Sequence, residues 1–340
     1  MNRDHAGLDT PEMSPRRACV DLDVAALLPS LDVADCAHVA ALWSSYGHIY
    51  RVTIRKEDGD VSMILKHIYP PHSEHASLSH ARKLLSYSVE RYFYDHFAPR
   101  LPATVAVAKR HPTSAPGTLL LDDLSPTFPR SVDDGNLDLD DTRTALLWLA
   151  SFHATFWGEQ GSIPPPVAGM STSDDHNHEL AQVKEDGEGG FVLPWVEKIN
   201  EALSTERKSG RSSLLHGDVK SENIIFAPDG RVAFYDFQYV GSGSPAVDVV
   251  CLLAKSVQVG LLEGEGESEL LRFYFDALSR NLPDRVHYPW KAFARAVDLA
   301  IVDWCRFMAG WGFWGNDRWV LRRARGIVKG WNDGGFDAAA

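Results

Sequence analysis

The segment from Leu214 to Gln238 restricts this chain more than any other part of it. It reads Leu214-Leu215-His216-Gly217-Asp218-Val219-Lys220-Ser221-Glu222-Asn223, then Ile224-Ile225-Phe226, then Ala227-Pro228-Asp229-Gly230-Arg231, then Val232-Ala233-Phe234-Tyr235-Asp236-Phe237-Gln238. Two apolar runs around Pro-Asp-Gly predict a β-hairpin. A two-residue Asp229-Gly230 turn would set residue 228 opposite 231 and, in the same register, Asn223 opposite Asp236. A bulge would shift that pairing by one. A carboxamide and a carboxylate at one end of a hairpin are hard oxygen donors, which suit magnesium: it takes one or two oxygens from protein and the rest from phosphates and water. Asp218 lies on the loop that enters the same end.

The flanking chain predicts a strand-rich part followed by a helical one. Residues 1–19 read as a polar tail. Tyr50–Arg55 alternates apolar and polar residues, Lys56–Asp60 is a turn, and Val61–Ile68 is a second strand closed by Pro70-Pro71. Helical spacing runs from Leu78 to Phe97, and Thr104–Ala108 and Thr118–Leu121 read as short strands. The polar stretch 122–125 is the best boundary between a first domain, 20–121, and a second, 126–340. In the second, Thr142–Trp157 is apolar on nearly every face, as a buried helix is. Residues 158–190 form a long polar insertion, and helical patterns return over Leu193–Arg207, Ser268–Ser279, Trp290–Ala309 and Asp317–Val328. The fold class is α+β.

His216-Gly217-Asp218 with Asn223, followed by Asp236-Phe237-Gln238, is similar to the paired motifs of the aminoglycoside phosphotransferase and choline kinase group of small-molecule kinases. Asp-Phe-Gln resembles the ecdysteroid-kinase-like branch. The resemblance implies a two-lobed protein-kinase-like fold with a small β-rich lobe, a connector and a larger helical lobe that binds the acceptor. It implies ATP and Mg2+ as cofactors. By residue, it implies that Asp218 orients the acceptor hydroxyl and takes its proton, and that Asn223 and Asp236 hold magnesium on the phosphates. Lys220, two residues after Asp218, stands where protein kinases carry a lysine that contacts the transferred phosphate. His216 braces the loop, and Asp248 matches the family's later supporting aspartate.

Lys66 lies in an apolar strand, where an unpaired charge is expensive. It reads as the lysine that contacts the α- and β-phosphates, with Glu90 on the following helix as its partner, against the plainer reading of a snorkelling lysine and a solvated glutamate. The stretch Trp43–Tyr50 carries one glycine and no G-x-G-x-x-G, so Ser44, Ser45 and Gly47 as a phosphate cover compete with a plain turn. The connector would meet adenine through the Asp122 carbonyl and the Leu124 amide. No G-x-x-x-x-G-K-[ST] occurs, which argues against P-loop NTPases. Asp248 stands twelve positions after Asp236 with no A-P-E segment between them, which disfavours peptide substrates. Acceptor contacts are expected from Asp303, Trp304, Arg306, Trp311 and Trp314, in company with Trp319. These tryptophans could cage a quaternary ammonium or stack on a flat, steroid-like alcohol, or they could be core, and Asp303 with Arg306 could be a simple helical ion pair. The acceptor class stays open among aminoglycoside-, choline- and sterol-like hydroxyls. A kinase-like sensor or scaffold without turnover is the rival from another class, with protein kinase activity behind it. The Asp174–Glu179 acid and histidine cluster reads as a solvated loop.

Composition closes other routes. Thirty-four Lys and Arg against 46 Asp and Glu give a net charge of −12, a poor balance for gripping nucleic acid. Four cysteines lack C-x-x-C spacing, so neither a zinc site nor a dense disulfide framework is expected. No apolar run approaches a membrane span, and Met1–Gly7 lacks the apolar core of a secretory signal. The reading is a cytoplasmic protein in a reducing compartment, with a small-molecule partner and no assigned oligomeric state.

Overall fold

The computed structural model describes residues 23–42, 45–71, 78–133, 135–159 and 187–336. The expected tail, Ser44, most of the 158–190 insertion and the 174–179 cluster lie outside the described residues. Two compact units emerge, one drawn from Met1–His75 and Lys109–Asp123, the other from Ala76–Ala108 and Leu124–Ala340.

The first unit is an antiparallel sheet. It comprises β1 (Val33–Ala41), β2 (Gly47–Ile54), β3 (Val61–Ile68), β4 (Arg110–His111) and β5 (Thr118–Asp122), in the order β1-β2-β3-β5-β4. Tyr50, Val52 and Ile54 of β2 share a core with Met63 and Leu65 of β3, Leu120 of β5, and Val24 and Leu28 at a short helix, α1 (Val24–Leu27). The period of two in β2 and β3 thus produces the buried face it predicts. β1 escapes that logic. Its register slips between Val33 and Asp35 and again between His38 and Ala40, so its apolar residues do not alternate. Cys36 on β1 is disulfide-bonded, which departs from the reducing compartment expected for the chain.

The second unit is mostly helical. It contains α2 (Leu78–Tyr92), α3 (Leu139–Thr155), α4 (Val196–Lys208), α5 (Ala246–Lys255), α6 (Gly266–Asn281), α7 (Trp290–Trp311) and α8 (Asp317–Gly330). Five short strands accompany them: β6 (Arg130–Ser131), β7 (Ser213–Leu215), β8 (Ile224–Phe226), β9 (Val232–Phe234) and β10 (Gly241–Gly243). β6, β8 and β9 form one small sheet, and β7 pairs with β10. The Asp138 side chain caps α3 by accepting from the Asp141 N–H at 2.9 Å. Beyond it, Trp148 stacks on Phe234 with ring centroids 4.0 Å apart. Among the described residues no helix is long and apolar enough to cross a membrane.

The boundary expected at 122–125 coincides with the break between Asp123 and Leu124, but residues 76–108 group with the helical unit. Side chains explain this. Phe93, in the wide turn Phe93–Phe97 that continues α2, stacks on Phe237 at 3.7 Å. The Ser86 hydroxyl donates to the Gln238 carbonyl at 3.3 Å. The expected strand over Thr104–Ala108 shrinks to one bridge, Ala106 to Ala233, and the Ala106 carbonyl accepts from the Trp148 indole at 3.1 Å.

Candidate active site

The hairpin forms, but not in the register of a two-residue turn. Ile224 pairs with Phe234, Ile225 with Ala233 and Phe226 with Val232. The Ala227 N–H donates to the Arg231 carbonyl at 2.8 Å, so the loop is Pro228-Asp229-Gly230, with Gly230 at φ 82°. A three-residue loop ending in a left-handed residue is the common alternative to the two-residue turn. Asn223 therefore faces Tyr235, whose N–H donates to the Asn223 carbonyl at 3.1 Å. The pairing of Asn223 with Asp236 is corrected by one residue. Asp236 is the first residue beyond the ladder, and its backbone turns left-handed at φ 65°. Such a conformation is costly for a residue with a Cβ and recurs at functional sites.

The loop before the hairpin hangs from one carboxylate. Asp248, in the first turn of α5 and fully buried, accepts from the His216 N–H at 2.7 Å and the Gly217 N–H at 3.0 Å. His153 of α3 reaches it at 3.1 Å through Nε2 and meets the Tyr274 hydroxyl at 2.7 Å through Nδ1. Gly217 has no substitute: its φ is 81°, and a Cβ there would stand 2.1 Å from the Tyr239 carbonyl oxygen. The buried His216 ring lies 3.1 Å from the Tyr235 carbonyl oxygen through Nε2. Burial depresses its pKa, while Asp248, Asp218 and Asp236 all act on it in the opposite sense. This imidazole is thus the common neighbour of the three aspartates picked out from the sequence.

Asp218 sits between two ammonium groups. Its Oδ1 is 2.9 Å from Lys255 Nζ and its Oδ2 is 3.0 Å from Lys220 Nζ. The Asn223 carboxamide donates to the Asp218 main-chain oxygen at 2.9 Å and to Oδ2 at 3.2 Å, so its own oxygen is the atom left to bind a cation. Burial alone would raise the Asp218 pKa, but Lys255 and Lys220 overcome it and hold the carboxyl at about 2. Lys255 is the functional candidate that the sequence reading missed. A signal was present: it stands two helical turns after Asp248, ending an otherwise apolar helix.

The remaining predicted residues fall as follows. Asp236 Oδ1 accepts from the Gln238 carboxamide at 2.8 Å. Glu90 is buried on α2. It and Asp236 both act on the buried Tyr94 phenol, whose pKa is raised first by burial and then by these two charges. Lys66, 5% exposed, lies on the central strand β3 opposite Ile49 and Leu119. Ser45 is exposed at φ 59° in the turn before β2. Gly47 opens β2 where a Cβ would come 2.0 Å from the His67 carbonyl oxygen, so strand contact alone accounts for this glycine. Asp122 ends β5 with its carboxylate 2.6 Å from His111 Nε2. The Leu124 carbonyl accepts from the Thr127 and Phe128 N–H groups.

On α7 the candidates divide. Arg306 Nε donates to Asp303 Oδ1 at 3.0 Å, with both side chains buried: this is the helical ion pair, with little of either group exposed to an acceptor. Trp319 is core, and its indole donates to Glu267 at 2.8 Å. Trp304, Trp311 and Trp314 behave differently. Trp304 stacks on Phe307 at 5.1 Å, and Phe307 lies 6.3 Å from Trp311 and 5.8 Å from Trp314. Trp304 and Trp314 are half-buried and Trp311 is 60% exposed.

A sheet-bearing unit, a helical unit and an aspartate-bearing loop before a β-hairpin define the kinase-like α+β class. Residues 44–286 match the model of the phosphotransferase enzyme family APH, and the chain belongs to that family. Curated proteins give no sequence match. Solved structures with the same fold include a choline kinase from Cryptosporidium parvum, at 11% identity, covering 88% of this chain and 89% of that one, with a TM-score of 0.53. Amicoumacin kinase hAmiN in complex with AMP-PNP, Ca2+ and amicoumacin gives 16% identity, coverage of 93% and 94%, and a TM-score of 0.52. Macrolide 2'-phosphotransferase MphH from Brachybacterium faecium gives 17%, 90% and 95%, and 0.51.

Proposed function

We propose that this phosphotransferase moves the γ-phosphoryl group of ATP to a hydroxyl of a small organic molecule by direct in-line displacement. The acceptor oxygen bonds to phosphorus as the bond to the β,γ-bridging oxygen breaks, ADP leaves, and the acceptor proton passes to Asp218. The observation that carries this reading is the Asp218 carboxylate, fixed by Lys255, Lys220 and Asn223 on a loop that Asp248 suspends through two N–H groups. Little covalent chemistry is asked of protein in such a transfer; position and charge decide the rate.

Magnesium fits the donor set, with the Asn223 carboxamide oxygen and the Asp236 carboxylate as its two hard ligands. When bound it neutralises phosphate charge. Lys220 is assigned to the transferred phosphoryl group, and Lys66 and Glu90 keep the roles that the family resemblance implies. Ser45 and Gly47 remain candidates for covering phosphate, and Asp122 and Leu124 for meeting adenine. The fold relatives named above are kinases of choline, amicoumacin and a macrolide, which supports a small-molecule acceptor here. The triplet Asp236-Phe237-Gln238 favours the ecdysteroid-kinase-like branch within that range.

The test is labelled ATP with a metabolite and antibiotic panel, wild type beside Asp218→Asn. Transfer by wild type only, with nucleotide binding intact in both, supports the enzyme. Equal nucleotide binding with no transfer by either form favours the sensor instead.

A further inference from the structure

One lysine joins the catalytic loop to the aromatic cluster. Lys255 Nζ is 2.9 Å from Asp218 Oδ1 and 5.8 Å from the centroid of the Trp304 ring. The loop that carries Trp314 is stitched to the same helix end. The Asn316 N–H donates to the Ala254 carbonyl at 2.7 Å, and its carboxamide donates to Leu253 at 2.8 Å and Val257 at 2.9 Å. The C-terminal carbonyls of α5 are thereby capped by the loop that presents the tryptophan. Trp304, Phe307, Trp311 and Trp314 stand as a platform built onto the element that grips Asp218.

Resting on the kinase reading above, we infer that this platform receives the acceptor, and that the acceptor is an uncharged alcohol on a broad apolar ring scaffold. Two observations weigh against the cationic alternative. A cation over an aromatic face is the basis of quaternary-ammonium recognition, but Lys255 already lies over Trp304. The carboxylate that would complete a cage, Asp303, is engaged with Arg306 inside the unit. What remains on offer is flat apolar area, 60% exposed at Trp311, which gains by stacking on rings and by area removed from water.

The experiment measures binding and transfer separately. Equilibrium dialysis of the full chain with AMP-PNP and magnesium uses 2-naphthaleneethanol, choline and kanamycin as probes, and labelled ATP replaces AMP-PNP for transfer. The naphthyl alcohol is expected to bind at least 10-fold more tightly than choline or kanamycin. Trp311→Ala and Phe307→Ala are each expected to weaken it about 3- to 10-fold, as loss of one ring contact does, with AMP-PNP affinity unchanged. Choline or kanamycin bound as well as the naphthyl alcohol overturns the inference and leaves the kinase reading standing. So does a naphthyl alcohol that fails to bind, or that binds equally to both variants. Failure of the folded wild type to bind AMP-PNP or to consume ATP overturns the kinase reading, and the inference with it.

Discussion

Lys255→Met should lower both activity and stability, and the structure sizes the second effect. The Asp218 carboxyl stands at about 2 against an ordinary 3.8, a difference that amounts to about 2 kcal/mol of preference for the ionised form in the folded state. Lys255 and Lys220 supply it against burial, one ammonium on each oxygen. Methionine keeps most of the stem volume and removes one ammonium; because the two lysines must first offset burial, the loss of one takes most of that net preference, on the order of 2 kcal/mol. The sign with pH follows from a depressed carboxyl: its contribution is whole above the unfolded value near 4 and is lost as pH falls toward 2. Urea unfolding of wild type and variant without metal should therefore differ by about 2 kcal/mol at pH 7 and by about half as much at pH 3. In transfer assays at saturating ATP, the variant should lose kcat at least 10-fold while its KM for ATP stays within about twofold. Equal stabilities at pH 7, or a gap that widens on acidification, would refute the two-lysine account of Asp218.

Other perturbations separate the parts of the site. Asp248→Ala leaves the N–H groups of His216 and Gly217 without their acceptor and should destabilise the chain by about 3 kcal/mol or more, read by denaturant melts. Gly47→Ala drives a Cβ into the His67 carbonyl at a φ of 146° and should cost about 2 kcal/mol or more; a neutral result would mean that the β2–β3 contact is looser than described. Chelating divalent ions should weaken ATP binding by wild type at least 10-fold and that of Asp236→Asn much less, by calorimetry, if Asp236 is a metal ligand.

His216, Asp218 and Asp248 were picked out by their resemblance to known motifs at fixed spacing, and the fold does bring them together. The hairpin was legible too, but its register was not: whether Gly230 closes a two- or a three-residue loop depends on backbone dihedrals that Pro-Asp-Gly permits either way. The partners of α2 were hidden for another reason. The Phe93–Phe237 stack and the Ser86–Gln238 bond join residues far apart in the chain, and an amphipathic pattern says that a face is buried, not against what. Lys255 escaped notice because a lysine at a helix C-terminus has an ordinary explanation in the helix dipole. Asp303 with Arg306 went the other way: three-residue spacing already offered the ion pair, and the buried geometry bears that simpler reading out.

An acid held at about 2 is a feeble base at neutral pH, which bears on what Asp218 can contribute under the proposed reaction. General-base catalysis is strongest when the group's pKa lies near the working pH, and two lysines move Asp218 away from that point. Were early proton removal the difficult step, this environment would be a handicap. Phosphoryl transfer through a loose transition state makes little demand of that kind, because the acceptor hydroxyl stays weakly bonded to phosphorus until late. The same lysines then serve the reaction: they keep the carboxylate ionised and aimed, so that it accepts a hydrogen bond from the acceptor and receives the proton once the oxygen has become acidic. On this account removal of Lys255 harms the reaction by loosening the aim of Asp218 although it makes Asp218 a stronger base. A Lys255→Met enzyme that turned over faster than wild type at neutral pH would show that basicity, not orientation, limits the transfer.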